Sequence, residues 1–279
     1  MARSILKLDD QRTTIYGTNS CIEINGKDIL KLSEKSVHKF RGEIVSMVFQ
    51  NPMHSLNPSF TIGAQLRRVL MAHRNYSRLD SKIKILSALK SVDLPGVEEL
   101  IQRYPHELSG GQCQRVMVAM AILCEPKLII ADEPTSALDV TAQDKVLQIL
   151  KKLSVENKIA VLMITHDMGV VAQFCEIVSV MYGGRIVETA DVKTLFTKPA
   201  HPYTAALLAA TPDPSKPKKV FNSIPGLQES RTGEISSACA FIKRCKFAQP
   251  ICYHAPEFRM LDDGQSVACH FAGELTLSE

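Results

Sequence analysis

The chain has 279 residues, of which 45% are hydrophobic, and its 33 basic and 29 acidic side chains give a formal net charge of +4. This composition supplies a sizeable core and excludes wholesale disorder, while so mild and interspersed a charge excludes a dedicated nucleic-acid binder. The longest apolar run, Val116 to Cys124, has nine residues, about half of the roughly 20 that a membrane-spanning helix needs.

Strand-length apolar runs alternate with helical patterns along most of the chain. We predict strands over 43–49, 128–131 and 159–165. The run at 128–131 is wholly apolar and the run at 159–165 is apolar up to Thr165, and we expect both strands to be buried on two faces. The alternation predicts an α/β fold with a parallel sheet and crossover helices.

Two further elements follow from local patterns. Apolar residues at 146, 147, 150 and 153 share one face of a helix that Asp139 or Thr141 is placed to cap. Later, the ranges 177–182 and 185–188 flank Gly183-Gly184, which supplies the positive φ of a tight turn. We therefore predict a helix between two strands of the sheet, and then a hairpin.

The last part of the chain differs in composition. Residues 211–219 are rich in proline and lysine, which is typical of a solvated linker. The first residues lack the apolar segment of a secretory signal, so we expect a cytoplasmic, reducing compartment. Eight cysteines then remain thiols or metal ligands, and half of them cluster beyond the linker, at Cys239, Cys245, Cys252 and Cys269.

A serine-glycine turn carries the strongest chemical signal. Ser109-Gly110-Gly111 precedes a helical pattern that begins at Gln112, so backbone N–H groups and the positive end of the helix dipole point the same way. Such a turn suits a phosphate, although most serine-glycine turns are structural. The pattern indicates a phosphate-reading element only in combination with other motifs.

Polar residues also follow each predicted strand. Asp132 and Glu133 come after the strand at 128–131, His166 follows the next strand, and Gln50 follows the strand at 43–49. At the carboxyl ends of such strands one acid can bind Mg²⁺ and another can orient water. Each residue alone has an ordinary structural explanation, but their order along the chain is specific.

The series Gln50, Leu108 to Gln112, Leu128 to Glu133, Ser136 to Asp139 and His166 resembles the ATP-binding cassette (ABC) family. The resemblance implies a P-loop ATPase domain over 1–198, a helical subdomain inserted at about 51–124, and a small cysteine-containing extension over 199–279. It also implies the cofactors ATP and Mg²⁺.

The resemblance assigns a role to each motif residue. Glu133 is the catalytic glutamate, His166 the switch histidine and Gln50 the glutamine-loop residue, with Asp132 and Gln50 toward Mg²⁺. The residues expected to face nucleotide are Ser109, Gly110, Gly111, Gln112, Asp132 and Asp139. Because cassettes of this family dimerise head to tail, Ser109, Gly110 and Gly111 of the signature are expected to contact the ATP of a partner cassette.

Three further stretches, 48–58, 104–107 and 201–207, are similar to the ATP-binding subunits of oligopeptide and dipeptide importers, with nickel and glutathione importers as close relatives. The implied partners are two membrane-spanning permease subunits, a second identical or non-identical cassette and, indirectly, a substrate-binding protein, without nucleic acid. The implied location is the cytoplasmic face of the bacterial inner membrane.

One motif of the family is missing from the sequence. No Gly-x-x-x-x-Gly-Lys-Ser/Thr occurs, and Gly26-Lys27 is followed by aspartate. The apolar residues at 5, 6 and 8 are similar to the helix after a P-loop, so we expect a Gly-rich loop upstream. We also expect the strand at 128–131 to lack a neighbour. Several explanations of the missing motif remain open. The sequence is a fragment or a mis-started reading, it comes from a decaying gene, or it is a non-hydrolytic half that supplies only its signature. A metal-binding regulatory module is a further alternative.

The four clustered cysteines have no Cys-x-x-Cys pair, so their spacing alone does not identify a site. They are compatible with an iron–sulfur cluster or a zinc ion, with packing as small buried hydrophobes, or with disulfides. The family resemblance suggests a [4Fe–4S] cluster more than zinc.

Overall fold

A computed structural model describes residues 2–10, 12, 14–73, 76–136, 138–211, 224–226 and 237–275. The chain forms two compact units, Met1–His166 and Asp167–Glu279. The predicted linker lies outside the described residues from position 212 onward.

The first unit combines a small parallel sheet with helices. Its helices are α1 (Ala2–Ile5), α2 (Glu34–Glu43), α3 (Pro52–Ser55), α4 (Ile62–His73), α5 (Arg78–Ser91), α6 (Val97–Leu100), α7 (Gly110–Ile122) and α8 (Val140–Glu156). Its strands are β1 (Glu23–Ile24), β2 (Lys27–Asp28), β3 (Val45–Val48), β4 (Leu128–Asp132) and β5 (Ala160–Ile164). Five of these helices, α3 to α7, lie between residues 52 and 122.

Strand β4 lies in the middle of the sheet, whose order is β3–β4–β5 with all strands parallel. Ile130 lies opposite Met47 on one side and opposite Leu162 on the other. The expectation that residues 128–131 lack a neighbour is therefore wrong. The order of strands depends on contacts between distant parts of the chain, and the apolar run alone does not specify it.

Strand β5 differs from β4 in burial. Ile129, Ile130 and Ala131 are fully buried, whereas Ala160 is exposed and residues 161–164 are half-buried. The expectation that both strands are buried on two faces holds for β4 and is wrong for β5. Within the described ranges β5 pairs only with β4, so β5 is an edge strand of this sheet although its sequence is apolar.

Helix α8 begins where the sequence places a cap. The carboxylate of Asp139 accepts a hydrogen bond from the N–H of Ala142 at 2.9 Å, which satisfies one of the free donors of the first turn. The buried residues of α8 are Val146, Leu147, Ile149, Leu150 and Leu153. The predicted apolar face is thus confirmed, and Asp139 rather than Thr141 is the cap.

The second unit is built on an antiparallel sheet. Its helices are α9 (Met168–Phe174), α10 (Val192–Thr197) and α11 (Pro202–Ala210), and its strands are β6 (Ile177–Tyr182), β7 (Arg185–Asp191), β8 (Arg259–Met260) and β9 (Ser266–Val267). The predicted hairpin is confirmed as β6 and β7, with positive φ at Gly183 and Gly184.

The end of the chain joins the hairpin sheet, whose order is β6–β7–β9–β8. Glu188 of β7 lies opposite Val267 of β9. The hairpin and the cysteine-bearing tail therefore belong to one compact unit, which begins at Asp167. Within the described ranges, no helix combines the length and the apolar character needed to cross a bilayer.

Candidate functional site

Glu133 connects the carboxyl ends of all three strands of the parallel sheet. Its Oε2 accepts a hydrogen bond from Nε2 of Gln50 at 2.7 Å, and its Oε1 lies 2.8 Å from Nδ1 of His166. The three residues follow β3, β4 and β5, so the strand order places the carboxylate between its two partners. An ionised carboxylate only accepts hydrogen bonds, so Nδ1 of His166 is then the donor.

The backbone of Glu133 is also constrained. Its φ is +46°, in the left-handed region that few residues other than glycine adopt. The N–H of Glu133 donates to the carbonyl of Ile164 at 2.8 Å, and the hydroxyl of Ser136 donates to the carbonyl of Glu133 at 3.2 Å. These bonds hold the chain in a sharp turn that directs the side chain toward the neighbouring strand ends.

Asp132 is the last residue of β4 and lies opposite Ile164. Burial raises the pKa of its carboxyl group, and the neighbouring charge of Glu133 raises it further. With Nε2 of Gln50 bound to Glu133, the amide oxygen of Gln50 and the carboxylate of Asp132 are oxygen ligands of the kind that Mg²⁺ prefers.

These two side chains fit Mg²⁺ only as part of a larger set of ligands. Within the described residues, no group of three or more histidine, cysteine, aspartate or glutamate side chains is arranged to hold a metal ion. Mg²⁺ at phosphate-transfer sites commonly takes one or two carboxylates and completes its shell with water and substrate phosphates. The donors present are therefore compatible with a metal that arrives with a phosphorylated substrate.

The serine-glycine turn opens helix α7. Ser109 Oγ accepts from the N–H of Gln112 at 3.3 Å, and Gln112 Oε1 accepts from the N–H of Ser109 at 2.9 Å. This reciprocal pair is a capping box, which satisfies donors that the first turn leaves free. Ser109 and Gly110 are exposed, so the turn is accessible at the surface.

Gly111 is required by packing within the first unit. A Cβ atom at this position would lie 3.0 Å from Cβ of Ala142 in α8, which is tighter than an ordinary contact. At Gly110 the nearest atom, Cδ2 of Leu138, would lie at 3.9 Å. The sequence predicted that the glycines face a phosphate. The structure gives a separate reason for a glycine at position 111, which is the close approach of helices α7 and α8.

The predicted site residues thus fall into two groups. The first is the hydrogen-bonded cluster of Gln50, Glu133 and His166, with Asp132 adjacent. The second is the turn at 109–112, which lies against the start of α8 that Asp139 caps. In the described residues, no hydrogen bond or ion pair joins the second group to Glu133.

Sequence reasoning assigned no chemistry to Glu188 and used His201 only as part of a resemblance. Glu188 is fully buried, and its carboxylate accepts from the N–H groups of Ala200 at 2.8 Å and His201 at 2.9 Å. Burial raises the pKa of Glu188. In the sequence, Glu188 is a lone acidic residue within a predicted strand, and this was the only sign of a special role. Its burial results from the pairing of β7 with β9, and the local sequence does not show that pairing.

His201 is 1% exposed and caps helix α11. Its Nδ1 accepts a hydrogen bond from the N–H of Tyr203 at 3.0 Å. Burial lowers the pKa of His201 to about 4, because water no longer solvates the charged ring. The imidazole is therefore neutral at physiological pH.

The four cysteines of the tail line one small, mainly apolar cavity, which Phe241 and His201 also line. All four are free thiols, so the disulfide alternative is not seen in the described residues. Burial raises the pKa of Cys239, Cys245 and Cys269, the last to about 11. The thiols of Cys239, Cys245 and Cys269 are consequently protonated unless a metal displaces the proton.

Two family models match the chain. Residues 5–136 match the ABC transporter family, and residues 187–252 match the C-terminal region of the oligopeptide/dipeptide transporter family. The first match includes the glutamine, signature and carboxylate motifs, and the second includes Glu188, His201 and three of the clustered cysteines.

Curated relatives agree with these matches. The oligopeptide transport ATP-binding protein OppD of Escherichia coli (strain K12) is 43% identical over 88% of the chain and 72% of its own length. The dipeptide transport ATP-binding protein DppD of the same strain is 40% identical over 92% of the chain and 80% of its own length.

A solved structure shows the same fold. The ATP-binding cassette MJ0796, in a dimeric post-hydrolysis state bound to ADP and phosphate, is 29% identical, with a TM-score of 0.59 over 68% of this chain and 78% of its own. The geometry, the family models and the relatives agree: the chain belongs to the ABC transporter ATP-binding proteins, in the group that carries the oligopeptide/dipeptide transporter C-terminal region.

Proposed function

We propose that the chain is the ATP-binding and ATP-hydrolysing subunit of an ABC importer that energises the uptake of oligopeptides or dipeptides. The observation that carries the proposal is the Glu133 carboxylate, held between Gln50 and His166 at the ends of three parallel strands. A carboxylate so placed is suited to orient a water molecule for attack on a phosphate. Relatives described as oligopeptide and dipeptide transport ATP-binding proteins support the same reading.

The residues take distinct roles in this proposal. Glu133 is the general base, and His166 and Gln50 orient its carboxylate. Asp132 and the amide oxygen of Gln50 are the side chains that would hold Mg²⁺, which supplies charge neutralisation at the phosphates. The turn at 109–112 and Asp139 would contact the nucleotide of a second cassette.

The assembly proposed is the one implied by the relatives. Two permease subunits would bind this chain and a second cassette at the cytoplasmic face of the membrane, and a substrate-binding protein would deliver the peptide. The match over 187–252 to a region named for oligopeptide and dipeptide transporters supports peptide cargo over nickel or glutathione.

Glu133→Gln tests the hydrolytic role. The substitution keeps the size of the side chain and removes the base, so we expect ATP turnover by the transporter purified through a tag on this chain to fall at least about 100-fold. Binding of a fluorescent ATP analogue should be retained. Glu125→Gln, at an exposed side chain that pairs with Lys84, is the matched control and should keep turnover.

A second candidate is a non-hydrolytic half that offers only its signature to a partner cassette. The capped turn at Ser109 and Gly110 supports it, because both residues are exposed and accessible to a second chain. In that case Glu133→Gln leaves turnover unchanged, while Ser109→Ala, which alters the signature offered to a partner cassette, lowers it. The two substitutions therefore separate the candidates.

We also propose that cysteines 239, 245, 252 and 269 hold a [4Fe–4S] cluster. Four free thiols around one cavity are the donor set that such a cluster takes, and the apolar walls protect it from water. Iron and acid-labile sulfide in equal amounts in anaerobically purified protein, lost in Cys245→Ser, would support the cluster, and metal-free folded protein would refute it.

A further inference from the structure

A large groove lies in the second unit, between helix α11 and the hairpin of β8 and β9. Its volume is about 1030 Å³, at the upper end of the range of about 300–1,000 Å³ that is usual for small-molecule pockets. The apolar residues that line it are Phe196, Ala205, Leu208, Ala209, Leu261 and Ala272. The groove therefore has room for a small organic ligand.

Helix α11 is apolar on every side of its last turns. Residues 205–210 are alanines and leucines, and all six are half-buried. Leu207 packs against the core of the second unit, whereas Ala205 and Ala209 line the groove. A helix without a polar face is normally covered on all sides. The groove side of α11 therefore favours an apolar occupant.

Two hydrogen bonds fix the walls of the groove relative to each other. The side chain of Gln265, a residue that is 1% exposed, donates from Nε2 to the carbonyl oxygen of Lys198 at 2.8 Å. Nζ of Lys198 in turn donates to Oδ2 of Asp263 at 2.9 Å. Both bonds join the segment after α10 to the β8–β9 hairpin. The groove is thus formed before a ligand binds, which lowers the entropic cost of binding.

Three charged side chains of the groove remain available to a ligand. Arg259, Asp262 and Glu274 line it and are exposed. Within the described parts of the chain none of them forms an ion pair, in contrast to Lys198 and Asp263, which neutralise each other. Two carboxylates and one guanidinium beside an apolar surface are complementary to a ligand with an ammonium group, a carboxylate and an apolar body.

We propose that the groove binds short linear peptides with apolar side chains. An unmodified peptide combines the required groups, because its two ends carry opposite charges and its side chains supply apolar surface. Asp262 and Glu274 bind the ammonium end, Arg259 binds the carboxylate end, and α11 contacts the body of the peptide. That such peptides are also the imported cargo rests on the function proposed above, whereas the binding itself does not.

Isothermal titration calorimetry of the purified full chain with trileucine tests the inference. We expect one peptide per chain, and at least about 10-fold weaker binding by the double variant Asp262→Asn, Glu274→Gln, because charge-assisted contacts are lost. N-acetyl-trileucine lacks the ammonium group and should bind the wild type as weakly. Glu257→Gln, at an exposed glutamate that does not line the groove, is the control and should bind trileucine as the wild type does.

A second pair of variants tests the apolar side of the groove. Ala209→Leu places a larger side chain in the groove and should weaken trileucine binding about 10-fold or more. Ala206→Leu, on the same helix but outside the lining, should leave the affinity unchanged. Circular dichroism shows whether both variants fold, and if one does not, the exposed charged positions decide the question.

Absence of trileucine binding by the wild type, or equal affinities for trileucine and its acetylated form, overturns the inference. A wild type that binds no trileucine but forms a dimer that Ala209→Leu dissociates would also overturn it, since a second copy of the chain would then be the occupant. The titration contains no ATP and no partner subunit. Its failure therefore leaves the proposed ATPase function standing, and a failure of that function leaves the titration valid.

Discussion

The two units hold their chemical groups in opposite ways. In the first unit, Glu133 lies at the ends of parallel strands and is held by side chains from two neighbouring strands, one of them the exposed His166. In the second, Glu188 and His201 are buried, and their bonds go to backbone groups. The first arrangement suits groups that must meet a soluble substrate, and the second suits groups that are held away from water.

The contrast extends to the causes of the pKa shifts. Burial lowers the pKa of His201 to about 4 and raises the pKa of Cys269 to about 11, so both groups stay neutral over the whole physiological range. His201 and Cys269 therefore contribute no charge to the cavity of the second unit, whereas the first site contains the adjacent carboxyl groups of Asp132 and Glu133.

The largest effect is expected from the scaffold under the first site. Ile130 in the central strand is fully buried, so Ile130→Ala should lower the free energy of unfolding by about 2–5 kcal/mol, through lost burial and an unfilled cavity. Met163→Ala, in the half-buried edge strand, should cost less than about 1.5 kcal/mol. Urea unfolding followed by circular dichroism gives both values, and equal costs would contradict the assignment of β4 as the central strand.

A smaller effect is expected at the contact between α7 and α8. Gly111→Ala would bring a methyl group to 3.0 Å from Ala142, so we expect a loss of about 1–3 kcal/mol from overpacking. Gly110→Ala meets only an ordinary contact and should be neutral or stabilising by up to about 1 kcal/mol, because alanine favours the helix. Adding Ala142→Gly should relieve the strain of Gly111→Ala. If Gly111→Ala and Gly110→Ala changed the free energy of unfolding equally, the two helices would not touch at residue 111.

The smallest effect is expected in the pH dependence of the second unit. Because burial raises the folded pKa of Glu188, its stabilising contribution is present below its ordinary pKa of 4.5 and is lost as pH rises through the folded pKa. The two backbone donors offset part of the burial, which keeps the change small. As the pH rises from 5 to 8, the free energy of unfolding of the wild type should therefore fall relative to that of Glu188→Gln, because the glutamine cannot ionise.

Free energies of unfolding at several pH values test this difference. Glu257→Gln, at an exposed glutamate of the same unit, is the control and should follow the wild type. If the two glutamate variants have the same slope, Glu188 is not the source of the pH dependence.

The sequence predicts the first site better than the second, for a physical reason. Gln50, Glu133 and His166 each follow a recognisable apolar strand, and parallel strands bring their carboxyl ends to one edge of the sheet. Their meeting could be expected without knowing the strand order. The cap at Asp139 and the hairpin turn at Gly183-Gly184 are local signals and were also predictable.

Features that depend on distant contacts were missed. Strand β4 lies between β3 and β5, and β5 lies at the edge of the sheet. Both positions depend on the order of the strands, which the apolar runs in the sequence do not reveal. The burial of Glu188 depends on a strand that is far away in sequence. The packing role of Gly111 likewise requires the position of Ala142, which no pattern around the turn reveals.

The pairing of β7 with β9 has a consequence for synthesis. Thr189 must wait for Ser266, which leaves the ribosome about 75 residues later, so at 5–20 residues per second roughly 4–15 s pass before the partner strand exists. During that interval one edge of the hairpin presents free backbone groups to other nascent chains. The first unit meets a similar delay, because Val48 of β3 pairs with Ala131 of β4, which is translated about 80 residues later.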